Sequence, residues 1–272
     1  DKIFKKSWQI ITDKNSLKSR IYPFIFLKDS VNEPFILTYK DGDYKCLSNV
    51  CTHRGNLLYL DHSNSNKIFC NYHGRIFDLN GKFISCPGFD NVKNFPSKLD
   101  DLNQIKLKIW KNFIFNSLDP VFNIKDILDD IENRLGWYPF NDISYDKANS
   151  NTYIIDAHWA IYCENYLEEF HLPFVHKGLT KDIVLDEYQT ILLENGVLQT
   201  ALCNDDKDAI SLSESAPDSN KKMYAYYYWI FPNLMLNFYA WGLSINIIEP
   251  IGKSKTRIKY ITYTFPNIDI PT

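Results

Sequence analysis

Two short segments of this chain each combine one cysteine with one histidine. The first reads Cys51-Thr-His53-Arg-Gly and the second reads Cys70-Asn-Tyr-His73-Gly. An ordinary zinc site draws its two cysteines from one close pair and its two histidines from another. Here the residue types alternate, so each loop can give its thiolate to one metal ion and its imidazole to a second. The pattern predicts a [2Fe-2S] cluster with two Cys on one iron and two His on the other, and it disfavours a zinc knuckle.

A second group of metal-binding side chains follows about one hundred residues later. On a continuous helix, Glu164, Glu168 and His171 fall four and three residues apart and therefore share one face. Pro173 is expected to end that helix, so that His176 reaches the same site from the following turn. Two imidazoles and one carboxylate form the facial triad of non-haem Fe(II) oxygenases. Taken alone, the segment also fits a helix with surface glutamates and a structural histidine.

In combination, the two groups resemble the α subunits of Rieske non-haem iron oxygenases, the aromatic ring-hydroxylating family. The resemblance rests on the two Cys/His boxes and on the spacing Asn165-x-x-Glu168-x-x-His171-x-x-x-x-His176, and it covers nearly the whole chain. Most ring-hydroxylating relatives have aspartate where this chain has Glu168. The glutamate and the run Phe231–Ser244 make the chain most similar to the choline and carnitine monooxygenase branch.

The resemblance implies a role for each residue of the two motifs. It implies that the [2Fe-2S] cluster is bound by four residues: Cys51, His53, Cys70 and His73. It implies that mononuclear Fe(II) is bound by two residues: His171 and His176. Glu168 would not be a ligand but a bridge for electrons between His73 of one subunit and His171 of its neighbour, with Asn165 beside the iron ligands. A bridge that joins two subunits implies a homotrimer.

The implied reaction is reductive activation of O2. Electrons from an NAD(P)H-dependent reductase or a ferredoxin would pass through the [2Fe-2S] cluster to Fe(II), and a small organic substrate, either an aromatic ring or a quaternary amine, would be mono- or dioxygenated. Five aromatic residues are available for a cation–π cage around an amine and are alternatively strand core: Tyr226, Tyr227, Tyr228, Trp229 and Trp241. The alternative function is a Rieske electron-transfer protein without oxygenase activity. The second metal motif counts against that alternative.

Four residues near the cluster ligands carry further expectations from the family. Tyr72 occupies the position of a hydroxyl that hydrogen-bonds a ligand sulfur. Arg75 stands where many relatives have tryptophan, and it should make the local surface more basic. Gly55 and Gly74 are expected to let backbone amides approach the cluster sulfurs.

The helices and strands that must position these residues can be predicted from sequence patterns, and they indicate an α+β protein. We expect an N-terminal arm over residues 1–20, an all-β Rieske domain over 21–118 and a helix-grip-like catalytic domain, an antiparallel sheet with helices, over 119–272. Apolar residues at helical spacing predict a helix over Ile124–Leu135. Alternating runs predict strands in the first domain at Phe24–Leu27, Phe35–Tyr39, Tyr44–Leu47, Lys67–Phe69, Ile76–Asp78, Phe83–Ser85, Ile105–Trp110 and Phe113–Asn116. They predict strands in the second at Thr152–Asp156, Tyr188–Leu193, Val197–Leu202, Met223–Phe231, Leu234–Tyr239, Leu243–Ile248 and Arg257–Thr264.

The composition of the chain limits the classes of binding partner and the cellular compartment that we expect. The 272 residues are 45% hydrophobic and 23% charged, with a net charge of −3, so there is no electrostatic argument for nucleic acid or an anionic membrane. The most apolar stretch, residues 230–248, contains Pro232 and Gly242, which favours two buried strands over a membrane span. The other four of the six cysteines show no disulfide framework, and reduced thiols beside an iron–sulfur motif favour the cytoplasm.

The chain lacks an initiator methionine and stops at Thr272 in strand-like sequence, so we expect it to be truncated. The third iron ligand of the family is an aspartate on a later helix, which is expected beyond Thr272. Asp182, Asp186 and Glu187 are nearer in sequence, but none occupies the family's ligand position. The sequence therefore predicts a complete cluster site and an incomplete mononuclear iron site.

Overall fold

The computed structural model describes residues 2–266. The chain forms two compact units, which divide between Val121 and Phe122. Antiparallel β-sheet dominates both units. Among residues 2–266, no helix combines the length and the hydropathy that a bilayer crossing requires.

The first unit is built from strands with three short 3-10 helices at Phe4–Lys6, Lys14–Ser16 and Lys98–Asp100. Its strands are β1 Gln9–Asp13, β2 Ile21–Phe26, β3 Glu33–Lys40, β4 Asp43–Ser48, β5 Ile68–Phe69, β6 Ile76–Phe77, β7 Phe83–Ser85, β8 Gln104–Trp110 and β9 Phe113–Ser117. One antiparallel sheet has the order β1-β9-β8-β4-β3-β2, and a smaller sheet has the order β5-β6-β7. The cysteine–histidine segments follow β4 and β5 as loops.

The N-terminal segment corrects one expectation. Residues 2–20 are not a separate arm, because β1 pairs with β9 and forms one edge of the larger sheet, with Gln9 opposite Asn116. Phe4 and Trp8 are both buried, and this apolar contact holds the segment against the unit. A five-residue strand at an edge shows too little alternation to be recognised from sequence.

The second unit is one seven-stranded antiparallel sheet in the order β10-β16-β15-β14-β13-β12-β11. Its strands are β10 Ser144–Ile155, β11 Gln189–Leu193, β12 Gly196–Leu202, β13 Met223–Ile230, β14 Leu234–Tyr239, β15 Gly242–Pro250 and β16 Thr256–Thr264. Its helices are α1 Lys125–Leu135, α2 Trp159–Tyr166, α3 Leu172–Val175 and α4 Leu179–Asp182, with 3-10 turns at Leu185–Glu187 and Asp206–Asp208.

Strand β13 shows how the sheet separates two environments. Successive side chains on a strand point to opposite faces. Tyr228 donates to the carboxylate of Asp130 on α1 at 2.7 Å, whereas Tyr227 packs in a cluster with Leu172 of α3. Helix α1 therefore covers one face, and α3 lies on the other. This arrangement confirms the predicted class, an all-β first domain followed by an antiparallel sheet with helices.

A polar loop over residues 204–222 is fastened to the α1 side of this sheet by one buried carboxylate. Asp218 has a side chain only 8% exposed, and it accepts from Arg134 at 2.7 Å, Lys221 at 3.0 Å and the Tyr226 hydroxyl at 3.1 Å. Burial alone would raise the pKa of Asp218, but the Lys221 hydrogen bond and the Arg134 charge outweigh it and lower that pKa. The loop is thus anchored at this carboxylate.

Replacing Asp218 by alanine should destabilise the second unit by about 1.5–3 kcal/mol, the usual contribution of hydrogen bonds to charged groups, because Arg134 keeps its ion pair with Asp130. The carboxylate contributes stability above its unfolded pKa, and that contribution is lost as pH falls through the lowered folded pKa. Urea unfolding at neutral pH measures the loss, and Asp206→Ala is the matched control, since Asp206 is an exposed carboxylate of the same loop. Equal stability of the two variants would contradict the anchoring role.

Candidate metal centres

The two cysteine loops of the first unit share one backbone geometry. In each, the cysteine carbonyl accepts from the glycine four positions later at 3.0 Å, and the cysteine N–H donates to the carbonyl five positions later at 2.8 Å. Gly55 and Gly74 have φ of +71° and +70°, a left-handed conformation that glycine adopts without steric cost. The chain therefore makes the same turn twice, and Cys51 and Cys70 occupy equivalent positions.

The loops bring cysteine to cysteine and histidine to histidine. The thiols of Cys51 and Cys70 lie within hydrogen-bonding reach of each other, and both belong to the hydrophobic core of the unit. The rings of His53 and His73 have centroids 4.8 Å apart, and His73 is exposed. This pairing suits a [2Fe-2S] cluster with a buried iron on two thiolates and an outer iron on two imidazoles.

Backbone donors surround the ligand sulfurs. Burial raises the pKa of Cys51 despite a hydrogen bond from the His53 backbone N–H. At Cys70 burial acts in the same direction, but the N–H groups of Tyr72 and His73 outweigh it and lower the pKa. The expectation for Tyr72 was partly wrong, since this residue contributes its backbone N–H while its side chain is 59% exposed.

The donor set of the four residues fits an iron–sulfur cluster. The Nδ1 atom of His53 is buried and has no hydrogen-bond partner in the described part of the chain, which is costly unless a metal uses its lone pair. Within residues 2–266, no three His, Cys, Asp or Glu side chains converge on a point that could hold a single ion. The pairing of thiol with thiol and of imidazole with imidazole fits the two-iron interpretation.

Arg75 corrects a second expectation. It does not make the local surface more basic, because the residue is only 2% exposed. Its guanidinium forms an ion pair with Asp100 at 2.9 Å. The sequence does not reveal this burial, since the carboxylate partner lies on a distant 3-10 turn.

In the second unit, the histidine motif is not one continuous helix as predicted. Helix α2 ends at Tyr166, so Glu168 lies in a turn after it. His171 is the N-cap of α3 and His176 is its C-cap. Pro173 opens α3 instead of ending α2, since the first helical turn has no intrahelical use for the missing N–H. The two histidines therefore flank a single helical turn.

The flanking positions bring the two imidazoles together. The ring centroids of His171 and His176 lie 5.1 Å apart. The Nδ1–H of His171 donates to the Glu168 carboxylate, whose other oxygen accepts the His171 backbone N–H at 3.2 Å. Burial opposes ionisation of Glu168, but these two hydrogen bonds outweigh it and lower its pKa.

Because Glu168 holds Nδ1, Nε2 is the nitrogen of His171 that is available to a metal. The Asn165 amide nitrogen lies 3.2 Å from this Nε2. In the described range 2–266, no further Cys, His, Asp or Glu joins His171 and His176 in a geometry that could hold a metal ion. The arrangement allows His171 and His176 to serve as two of the three ligands of a facial triad.

A cavity of about 470 Å³ opens beside the histidine pair and is lined by Asn165, Glu168, His171 and His176. Seven tyrosines form much of its wall: Tyr162, Tyr166, Tyr188, Tyr224, Tyr227, Tyr239 and Tyr260. Burial raises the pKa of Tyr224 to about 12 and raises the pKa values of Tyr188 and Tyr239 further. Neutral phenols therefore face the cavity, and no lysine or arginine of the described chain lines it.

For Tyr226 and Tyr228 the strand-core alternative is correct, and the aromatic cage is not. Tyr226 and Tyr228 are fully buried on the α1 side of the sheet, because alternate residues of β13 face opposite ways. Only Tyr227 of the five predicted residues lines the cavity. Its neighbours there are Tyr188, with the ring stacked at 6.4 Å, and Tyr239, edge-on at 5.8 Å.

The chain is similar to known proteins over both units. Residues 7–96 match the family described as Rieske [2Fe-2S] domain, and residues 136–269 match the ring hydroxylating alpha subunit (catalytic domain). Chloroplastic choline monooxygenase of Amaranthus tricolor is 27% identical over 95% of this chain and 58% of its own length. The carnitine monooxygenase oxygenase subunit of Acinetobacter pittii (strain PHEA-2) is 25% identical over 86% of this chain and 62% of its own length.

The solved structure of the quaternary ammonium Rieske monooxygenase CntA with an inhibitor has the same fold. Its TM-score is 0.75 at 21% identity, over 99% of this chain and 72% of that one. The present chain spans about 60% of the length of the curated relatives described above. Because both halves of the oxygenase architecture match in order, the chain belongs to the Rieske ring-hydroxylating oxygenase α-subunit family.

Proposed function

We propose that this chain is the main part of a Rieske oxygenase component, an oxidoreductase that hydroxylates a small quaternary ammonium compound with O2. The observation that carries the proposal is the tyrosine-walled cavity beside the His171 and His176 pair, in a chain that also holds a cluster site. When bound, the [2Fe-2S] cluster would supply single electrons and the mononuclear iron would activate O2. A pure electron-transfer protein has no use for such a cavity.

The residues divide into holding and orienting roles. Cys51, Cys70, His53 and His73 would hold the cluster, and His171 and His176 would hold the mononuclear iron. Glu168 fixes the proton of His171 on Nδ1, which directs the Nε2 lone pair toward the iron position. Asn165, next to that nitrogen, would orient water or substrate at the cavity edge.

The chemistry of the cavity favours an organic cation as substrate. Faces of neutral tyrosine rings attract a quaternary ammonium group, which cannot form hydrogen bonds. Tyr188, Tyr227 and Tyr239 pack against one another in the cavity wall, so an ammonium group in the cavity would lie against this cluster of rings. Because the described lining contains no basic side chain, a choline-like alcohol fits it better than a substrate with a carboxylate.

We also propose that the chain works as a homotrimer with an NAD(P)H-dependent reductase or a ferredoxin, in a reducing compartment such as the cytoplasm. The side chain of Glu168 is 33% exposed, and Phe170 and Phe174 beside it are 81% and 78% exposed. An exposed apolar pair next to a functional carboxylate suits contact with another protein surface. In this proposal, His73 of a neighbouring copy approaches Glu168.

The proposed iron site is tested in the full-length enzyme with His171→Ala and His176→Ala. Each variant should lose the mononuclear iron and O2-coupled turnover, and each should keep the visible spectrum of the cluster, because the two sites share no residue. Iron analysis and absorption spectra measure this, with His158→Asn as the control, since His158 caps α2 with its Nδ1 and lies outside the cavity lining.

The same enzyme tests the substrate class by O2 uptake with choline, carnitine and naphthalene. We expect coupled product formation with choline, weaker activity with carnitine and none with naphthalene. Oxygenation of naphthalene alone would contradict the ammonium proposal but leave the oxygenase proposal intact. Iron retention in both histidine variants would contradict the site assignment itself.

A further inference from the structure

Arg75 is placed where it touches both halves of the cluster site. It follows the second loop directly, and its carbonyl accepts the N–H of the ligand Cys70 at 2.8 Å. Its Nη1 donates to the hydroxyl of Thr52, the residue after ligand Cys51, at 2.7 Å. Its Nη2 donates to Asp100 at 2.9 Å. One side chain thereby ties the first loop to the second.

Water screens the positive charge of Arg75 only weakly. The side chain of Arg75 is 3% exposed and that of Asp100 is 18% exposed, so water reaches the carboxylate more readily than the guanidinium. The guanidinium carbon lies 5.0 Å from the centre of the Phe83 ring and 5.5 Å from that of Phe95. A guanidinium remains protonated at every physiological pH.

The carboxylate partner is itself held in place. Asp100 accepts from the Ser97 backbone N–H at 2.8 Å and from the Ser97 hydroxyl at 3.1 Å. Its backbone carbonyl accepts the Thr52 hydroxyl at 2.8 Å. The ion pair is therefore a fixed part of the cluster site.

We propose that Arg75 is a positioning residue that fastens the two ligand loops and, as a fixed buried cation, raises the reduction potential of the [2Fe-2S] cluster. The inference rests on the proposed cluster assignment. One-electron reduction adds one negative charge to the cluster. A cation held nearby at low dielectric stabilises that charge, and cluster potentials depend on the surrounding charge.

The test compares Arg75→Met, Arg75→Lys and Asp100→Asn in the full-length holoenzyme by redox titration with dithionite, followed by visible circular dichroism. At the wild-type midpoint potential, Arg75→Met should raise the ratio of oxidised to reduced cluster about tenfold, which equals a negative shift of about 59 mV for one electron. Asp100→Asn removes the opposing charge and should lower the ratio. Arg75→Lys should stay near the wild type. Arg54→Met is the control, because Arg54 is exposed next to the ligand His53 and its charge is screened by water.

The opposite signs separate electrostatic tuning from simple loosening of the loops. A mechanical role alone would move Arg75→Met and Asp100→Asn in the same direction, and this result would overturn the inference. Shifts no larger than that of Arg54→Met would also overturn it. If Arg75→Met retains no cluster, the direction in which Asp100→Asn shifts the reduction potential decides. A lowered or unchanged potential in Asp100→Asn then overturns the inference. A wild-type protein without a [2Fe-2S] spectrum would instead contradict the cluster assignment and the proposed function.

Discussion

Replacing His73 by cysteine is expected to lower the reduction potential of the cluster by several hundred millivolts. A thiolate adds a negative charge where a neutral imidazole stood, and this charge disfavours the reduced cluster. Clusters with two histidine ligands have potentials of about −150 to +300 mV, whereas plant-type clusters with four cysteines lie near about −400 mV. His73 is exposed on its loop, so the replacement leaves the core around Cys51 and Cys70 in place.

Redox titration of the His73→Cys holoenzyme, with electron paramagnetic resonance of the reduced state, measures this change. The variant should exchange the Rieske-type signal for one typical of all-cysteine clusters. His62→Cys is the matched control, since His62 is an exposed histidine of the same unit that belongs to neither loop. An unchanged potential and signal in His73→Cys would remove His73 from the ligand set.

Much of the fold was predictable because both units are built from short amphipathic or fully apolar strands. Strands β7 and β14 have the predicted bounds, and α1 differs from its prediction by one residue at its start. Each of these elements carries its signal locally, in alternation or in apolar residues at helical spacing. The predicted strand is shorter than β10, because the first half of β10 is mostly polar and shows no apolar alternation.

The break between α2 and α3 was not predictable, because a distant contact causes it. The carbonyl of Tyr166 would accept a hydrogen bond from residue 170 if the helix continued. Instead, Gln199 of β12 donates its side-chain amide to that carbonyl at 2.9 Å. Local periodicity cannot show a partner so far along the chain, so the sequence placed Glu168 on a helix that ends before it.

The two candidate sites also combine features that the sequence reveals with features that depend on distant contacts. The candidate cluster ligands are predictable from spacing, since both loops are contiguous in sequence and repeat one turn around Gly55 and Gly74. The cavity wall was missed, because Tyr188 follows the 3-10 turn Leu185–Glu187 and Tyr239 ends β14, and the two meet only after the sheet has formed. Burial of Arg75 likewise depends on a carboxylate from another turn. Local motifs identify metal ligands, whereas tertiary packing decides their surroundings.

Replacing Glu168 by glutamine is expected to reduce O2-coupled turnover of the full-length enzyme by about 10- to 100-fold, the usual effect of losing a carboxylate that orients a ligand histidine. Both iron centres should remain. Glutamine retains an oxygen that accepts the Nδ1–H of His171, so the ring keeps its orientation. The negative charge of Glu168 is lost, so the His171 imidazole is no longer polarised by it. The proposed interaction of this charge with His73 of a neighbouring copy is lost as well.

The role of Glu168 is decided by comparing iron content with electron transfer. In Glu168→Gln, stopped-flow absorption should show slow reoxidation of the reduced cluster in the presence of substrate and O2, while metal analysis gives full iron occupancy. Glu164→Gln should behave as the wild type, because Glu164 is exposed on α2, four residues before Glu168. If Glu168→Gln loses its mononuclear iron, then Glu168 holds the metal. In that case its hydrogen bond to His171 reflects ligand binding, and the proposed route for electrons must run through another group.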